Sequence, residues 1–307
     1  MRNSEIDNLG AMLRNRTKSL DLEERRAAYD ALAGMFPTAA DVAVERVIAN
    51  GVKAEWTSTE LADPSRVILY LHGGGYVFGS LDSHRHLVSE LGRAASARTL
   101  ALDYRLAPEC PFPAPVEDAV AGYRFLLHAG FQPERIAISG DSAGGGLAIS
   151  LMVRLRELGL PQPAIAFLMS PWVDMRGTGD SFKVNALRDP VVSTEMINFV
   201  AKQYLKDAHP DSPLASPFRA ALEGIAPLRI YVGATETLLD DSIQLARAAG
   251  LADVKVHLEI WPRMVHIWPT YHQVLAEGRR VIAEAGRVMR DATAAIALDL
   301  NPEKRKD

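Results

Sequence analysis

Ile136-Ala137-Ile138-Ser139-Gly140-Asp141-Ser142-Ala143-Gly144-Gly145-Gly146-Leu147 is the stretch that decides the fold of this chain. Small and β-branched residues lead into a serine bracketed by glycines, and Leu147, Leu151, Leu155 and Leu158 then recur at helical spacing. The pattern predicts a strand, a sharp turn and a helix. So tight a turn puts the serine in a backbone conformation that most residues avoid, and bulky neighbours would strike the strand or the helix. Gly140 and Gly144 remove that obstacle. A hydroxyl at the tip of such a turn is open to a reactant on one side and to a base on the other. The Ala143 amide stands at the start of the helix, where the positive end of the dipole favours an anion.

Working outward, the next informative stretch is Leu71-His72-Gly73-Gly74-Gly75-Tyr76, which follows the apolar run 67–71. A continuous apolar run of this length reads as a strand buried on both faces. Three successive glycines let the backbone turn its amides toward a ligand. The amides of Gly73, Gly74 and Ala143 are therefore the expected donors to the oxygen of a tetrahedral intermediate, an oxyanion hole. His72 is expected to anchor this loop by a hydrogen bond, and Tyr76 beside the glycines is the candidate substrate-binding aromatic.

The remaining chain alternates strand and helix. Strands are predicted at 42–48 and 52–57, joined by the hairpin signal Asn50-Gly51, and at 99–102, 164–169, 228–232 and 254–260. Helices are predicted at 81–97, 116–128 and 194–204. An N-terminal helix starts at Asp21 with Glu24 three residues on, and carries Leu22, Tyr29, Leu32 and Phe36 on one face before Pro37. Alternation of this kind predicts an α/β fold with a mostly parallel central sheet and helices on both faces. The stretch between Ser170 and Leu228 is far longer than one crossover needs, so it is read as an insertion over the C-terminal edge of the sheet, where ligands of open α/β sheets bind. With 307 residues, 48% of them hydrophobic, the chain is expected to form a single domain, 1–307, with helical cap elements at 1–40 and 173–211.

Composition removes other classes of function. A net charge of −4 with no stripe of Lys and Arg argues against a nucleic-acid partner. The terminal run Glu303-Lys304-Arg305-Lys306-Asp307 reads as a solvated tail. The lone cysteine, Cys110, excludes an intramolecular disulfide and reads as a packing residue. The N-terminal residues carry no apolar signal region and no run approaches a membrane span, so a cytoplasmic protein is expected. No phosphate-binding Gly-x-x-x-x-Gly-Lys-Ser pattern and no dinucleotide fingerprint in strand-to-helix context is present, so no cofactor is called for. The His84-x-His86 pair lacks companions at metal-ligand spacing, so no metal is called for either.

A serine nucleophile needs a base, and the chain offers eight histidines. His257 falls on the polar face of an alternating strand, His272 in the helix expected after it, and His84, His86, His128 and His209 have no elbow or strand-end context. His266 follows the last strand, at the edge that carries Ser142, and is the candidate base. The base needs a carboxylate to hold its tautomer. Glu236, after the strand 228–232, is favoured over Asp240 and Asp241, because Thr237-x-x-Asp240 reads as a capping pair and acids in a first helical turn are ordinary dipole partners.

Nucleophile, acid and base thus run in the order Ser142, Glu236, His266. With His72-Gly73-Gly74-Gly75, Asp103-Tyr104-Arg105-Leu106-Ala107-Pro108-Glu109 and Gly140-Asp141-Ser142-Ala143-Gly144-Gly145-Gly146, the chain from about residue 67 to the final helix resembles the hormone-sensitive lipase family of carboxylesterases. The resemblance implies an α/β-hydrolase fold and a cap built from N-terminal helices. It implies hydrolysis of short- to medium-chain esters through an acyl-enzyme, with the equivalents of Gly73, Gly74 and Ala143 as oxyanion hole. Many members read Asp-Pro-Leu where this chain has Glu236-Thr237-Leu238, although the interval of 30 residues to His266 matches the family. The expected partner is a small ester, and the reading leaves room for a homodimer. The competing readings are a non-catalytic ligand-binding protein on the same fold, and a hydrolase of amides, carbamates or lactones.

Overall fold

A computed structural model of the protein describes residues 4–15 and 21–294. The charged run 303–307 lies outside them, as do residues 1–3 and 16–20 of the expected N-terminal cap. In chain order the strands are β1 (Ala43–Ala49), β2 (Val52–Ser58), β3 (Asp63–Leu71), β4 (Ala97–Asp103), β5 (Ile136–Asp141), β6 (Ile165–Met169), β7 (Leu228–Gly233) and β8 (Val256–Trp261). The helices are α1 (Ser4–Arg14), α2 (Leu22–Ala33), α3 (Leu81–Ala95), α4 (Ala114–His128), α5 (Ala143–Glu157), α6 (Ser181–Val184), α7 (Thr194–Leu205), α8 (Leu239–Leu251) and α9 (Ala276–Ala292).

The strands form one sheet in the order β1-β2-β4-β3-β5-β6-β7-β8. β1 and β2 are antiparallel, as is the β2–β4 pair, and every pairing from β4 through β3 to β8 is parallel. The first hairpin turns at Asn50 (φ 51°) and Gly51 (φ 93°), both left-handed as a two-residue turn of this type demands. β5 and β6 are buried along their whole length, which is why their sequences show no alternation.

Alternate side chains of each central strand feed two cores. Leu69 and Leu71 of β3 join Leu168 of β6, Leu147 and Leu151 of α5, and Leu245 of α8 on one face. Ile68 and Tyr70 join Phe167 of β6, Leu91 of α3, and Val281 and Met289 of α9 on the other. The amphipathic helices are therefore recruited by whichever face of the sheet their apolar stripe matches. α1 adds Ile6, Leu9 and Leu13 to the second core. Of the apolar face expected on the next helix, Leu22 and Tyr29 of α2 pack on the first core and Phe36, beyond its end, lies in the second, while the Leu32 side chain is outside the described residues. The capping role of Asp21 is observed: its carboxylate accepts from the Glu24 amide at 2.8 Å.

α3 stops two residues short of its predicted end because Ser96 adopts a left-handed conformation (φ 49°), its amide closing on the carbonyls of Arg93 and Gly92. At the other end Ser80 and Ser83 exchange side-chain-to-backbone bonds in a capping box.

The elbow itself depends on close backbone approach. Ser142 sits at φ 51° and ψ −121°. A Cβ on Gly144 would overlap the Leu71 carbonyl of β3, and one on Gly140 would overlap the Gly144 carbonyl. Backbone cannot step aside as a side chain can. Gly144→Ala is therefore expected to lower stability by about 3 kcal/mol or more, read as a fall in the urea midpoint at unchanged m value. An unchanged midpoint would contradict the close contact.

Candidate active site

Four adjacent parallel strands each deliver one polar residue to the same edge of the sheet. Ser142 follows β5, Ser170 follows β6, Glu236 lies just beyond β7, and His266 lies beyond β8. The Ser142 backbone is tied on both sides, its amide to the Met169 carbonyl and its carbonyl to the Trp172 amide, each at 2.9 Å. Parallel strands end in register, which is why residues distant in sequence converge here.

The Ser142 Oγ lies 2.9 Å from His266 Nε2, and His266 Nδ1 lies 2.8 Å from Glu236 Oε2. Glu236 is wholly buried and accepts on its other oxygen, Oε1, from the Ser170 hydroxyl at 2.8 Å and from the Gly233 amide. A carboxylate surrounded by donors remains an acceptor, so His266 Nδ1 carries the proton and Nε2 is left to accept from the serine. Burial disfavours a charged imidazole at His266. The hydrogen bond and negative charge of Glu236 more than offset this and hold its pKa above the ordinary histidine value.

The rival carboxylates are occupied elsewhere. Asp240 accepts from the Ser181 amide at 2.8 Å, and Asp241 from the amides of Val173 and Asp174, both at 2.9 Å. The capping reading of Thr237 and Asp240 does not hold: the Thr237 hydroxyl donates to the Val192 carbonyl, and α8 has Leu238 at its N-cap with no side-chain cap. These residues instead tie residues 173–192 to the acid loop, with Asn185 Nδ2 donating to the Glu236 carbonyl at 2.8 Å.

The glycine loop requires a correction. The Gly73 amide, expected in the oxyanion hole, donates to Asp141 Oδ1 at 3.0 Å. A donor already satisfied by a carboxylate is not available to an ester oxygen. Gly74 (φ 115°) and Gly75 (φ 62°) follow, and neither of their amides nor that of Ala143 has an acceptor among the described residues. His72 anchors the loop as expected, Nδ1 donating to the Gly73 carbonyl at 2.7 Å, with its ring stacked on Tyr104 at 4.2 Å. Burial and the nearby His84 push its pKa down to about 3, so it stays neutral.

Tyr76 is also corrected. Its side chain is wholly buried, not exposed to a cleft, and its ring stacks on Tyr204 of α7 at 3.8 Å and 6°. The left-handed backbone at Tyr76 (φ 62°) accompanies this inward placement, so the residue joins the glycine loop to α7. His84, set aside on the sequence, stands 3.4 Å from Asp141 of the elbow. His272 ends a short 3-10 turn (Trp268–Tyr271) rather than lying in α9, and His257 is exposed on β8 as expected. Cys110 is half-buried, its amide bonded to the Leu106 carbonyl.

Ser170 was not singled out by sequence reading; the signal was its place immediately after a buried strand. Its hydroxyl donates to Glu236 and accepts from the Ile267 amide at 3.2 Å, so it joins the acid to the histidine loop. Ser170→Ala leaves both partners short of a hydrogen bond and is expected to cost about 1–3 kcal/mol in urea denaturation. A stability within experimental error of the parent would show the bond to be dispensable.

Residues 68–270 match the family model of the alpha/beta hydrolase fold. An acetyl-hydrolase of Streptomyces hygroscopicus is 46% identical over 250 residues, covering 81% of this chain and 83% of that protein. An esterase of Acinetobacter venetianus is 35% identical over 240 residues, covering 78% and 79%. Among solved structures, an esterase from the bacterial hormone-sensitive lipase family superposes with a TM-score of 0.94 at 46% identity, covering 96% of this chain and all of that one. Sheet order, strand-end chemistry and these likenesses agree: the chain belongs to the alpha/beta hydrolase fold family, and within it is a carboxylic ester hydrolase of the hormone-sensitive lipase family.

Proposed function

We propose that the chain hydrolyses short- to medium-chain carboxylic esters through an acyl-enzyme on Ser142. The observation that carries this reading is the hydrogen-bonded series from Ser142 Oγ to His266 Nε2 and from His266 Nδ1 to Glu236 Oε2. The serine oxygen attacks the ester carbonyl carbon as its proton passes to His266. The carbon–oxygen bond to the alcohol then breaks, and His266 returns the proton to the leaving alkoxide. Water, losing a proton to the same nitrogen, attacks the acyl-enzyme; the ester bond to Ser142 then breaks, the acid leaves, and His266 returns the proton to the Ser142 oxygen. Gly74, Gly75 and Ala143 are the proposed donors to the anionic oxygen, supported by their amides having no other acceptor among the described residues.

The short-acyl part of the reading draws on the relative named as an acetyl-hydrolase. Residues 1–40 and 173–211 are proposed as a cap. The support is contact between the two parts and with the glycine loop: Arg25 Nη1 lies 2.7 Å from Met196 Sδ, Arg26 donates to the Val77 carbonyl at 2.9 Å, and Tyr29 packs on Phe78 with centroids 5.5 Å apart. Among the described residues no helix is long and apolar enough to cross a membrane.

A chain-length series of p-nitrophenyl esters tests the reading: the highest kcat/KM is expected on short acyl chains, with a burst of nitrophenol equal to the number of sites. Ser142→Ala should lower kcat by about a million-fold, and full activity in that variant would exclude the mechanism. A neutral His266 is needed to take the serine proton, so activity falls as pH drops through its raised pKa. Glu236→Gln removes the group that raises it while burial remains. The acid limb of kcat/KM is therefore expected to move to lower pH as kcat falls about a thousand-fold or more. An acid limb unmoved in this variant would show that Glu236 does not set the His266 pKa.

A further inference from the structure

Asp141 stands beside the nucleophile in the elbow, yet the mechanism above gives it no part. Its carboxylate is wholly buried. Oδ1 accepts from the Tyr70 hydroxyl at 2.7 Å and from the Gly73 amide at 3.0 Å. Oδ2 faces His84 Nε2 at 3.4 Å, the imidazole being buried as well. A carboxylate only accepts, so the nitrogen that faces it carries a proton. The other nitrogen, Nδ1, lies 2.8 Å from the Ser83 hydroxyl within the α3 capping box, which fixes the ring from behind. Burial would lift the Asp141 pKa, and His84 together with the Tyr70 hydroxyl holds it below the usual carboxylate range, so the group is ionised.

The consequence lies in the loop. A buried carboxylate is tolerated only where donors and a compensating charge or dipole surround it, and one of these donors is the first peptide of the glycine turn. Gly73 has room for this bond because it lacks a Cβ, which would overlap Asp141 Oδ2. On the far side the Tyr104 hydroxyl donates to the His72 carbonyl at 2.7 Å. The two clamps grip opposite sides of one peptide, between His72 and Gly73, and the amides of Gly74 and Gly75 follow it with no acceptor among the described residues.

We propose that Asp141, braced by Tyr70 and His84, is a positioning residue: by holding the Gly73 amide it fixes where Gly74 and Gly75 meet the anionic oxygen of the tetrahedral intermediate. The proposal rests on the Ser142 mechanism and deepens it. It predicts a transition-state effect rather than a binding effect, since the carboxylate touches the loop and not the substrate.

The test compares Asp141→Ala, Asp141→Asn, Tyr70→Phe and His84→Gln with the parent protein on p-nitrophenyl acetate. Rates are expressed per Ser142 site titrated to completion with a fluorophosphonate, so unfolded protein does not contribute. Asp141→Ala is expected to lower kcat about a hundred-fold, with KM moving less than about threefold. Asn retains an oxygen for Tyr70 and Gly73 and is expected to restore about tenfold of that loss. Tyr70→Phe and His84→Gln should each lower kcat several-fold. The inhibition constant of a trifluoromethyl ketone, which closes to an anionic adduct on the serine, should rise by the factor by which kcat/KM falls. An unchanged kcat per titrated site in the Asp141 variants, or a change confined to KM, overturns the proposal. If instead the parent protein takes no fluorophosphonate label and Ser142→Ala retains activity, the Ser142 mechanism itself fails, and the two failures are distinguishable.

Discussion

Ser142 keeps its left-handed backbone only because the segments around it come close enough to hydrogen-bond its amide and carbonyl. The Met169 carbonyl and the Trp172 amide, at opposite ends of the loop that leaves β6, take the two groups. Gly145 and Gly146 leave room for that loop, where a Cβ would meet Pro171 and the Trp172 carbonyl, and Gly140 and Gly144 leave room for β3. Strain of this kind persists only where the surroundings over-determine it, and here they do so from three strands. The elbow is thus a property of β3, β5 and β6 together, although five consecutive residues spell it out.

Around the elbow, buried carboxylates act as anchors for loop backbone. Glu236 holds the Gly233 amide, Asp141 the Gly73 amide, and Asp241 the amides of Val173 and Asp174. All three acids are wholly buried. Burial pushes the Asp241 carboxyl up to about 8, against the pull of its two amides, whereas Asp141 is kept ionised by its neighbours. Three similar side chains at one sheet edge are therefore set apart by what surrounds each. Glu236 and Asp141 each face a histidine on one oxygen and donors on the other, but the histidine on Glu236 reaches on to the Ser142 hydroxyl, whereas the one beside Asp141 reaches back to Ser83 of the α3 cap.

Much of this was legible beforehand because it is written in local patterns. The hairpin at Asn50-Gly51, the strand–turn–helix around Ser142 and the continuous apolar strands each follow from the conformational needs of neighbouring residues. The choice of His266 and Glu236 followed from strand ends, because a mainly parallel sheet gathers its C-terminal ends on one edge. Capping at Thr237 and Asp240 was misread because the same residue types serve cross-loop bonds: Thr237 meets Val192 and Asp240 meets Ser181, 45 and 59 positions away. The end of α3 was overrun because a serine, not a glycine, takes the left-handed cap.

The amino-acid order by itself determined the element types, the elbow and the edge at which the chemistry gathers, since each depends on periodicity, glycine placement and turn chemistry within a few residues. Only the tertiary structure decided which glycine amides stay open, that Tyr76 turns inward onto Tyr204, and that His84 and Ser170 belong to the site. Those outcomes turn on single hydrogen bonds and ring contacts between residues far apart in sequence, such as Tyr70 to Asp141 across 71 positions and Ser170 to Glu236 across 66. No local pattern encodes such a bond, because its formation depends on where two separately folded segments come to lie.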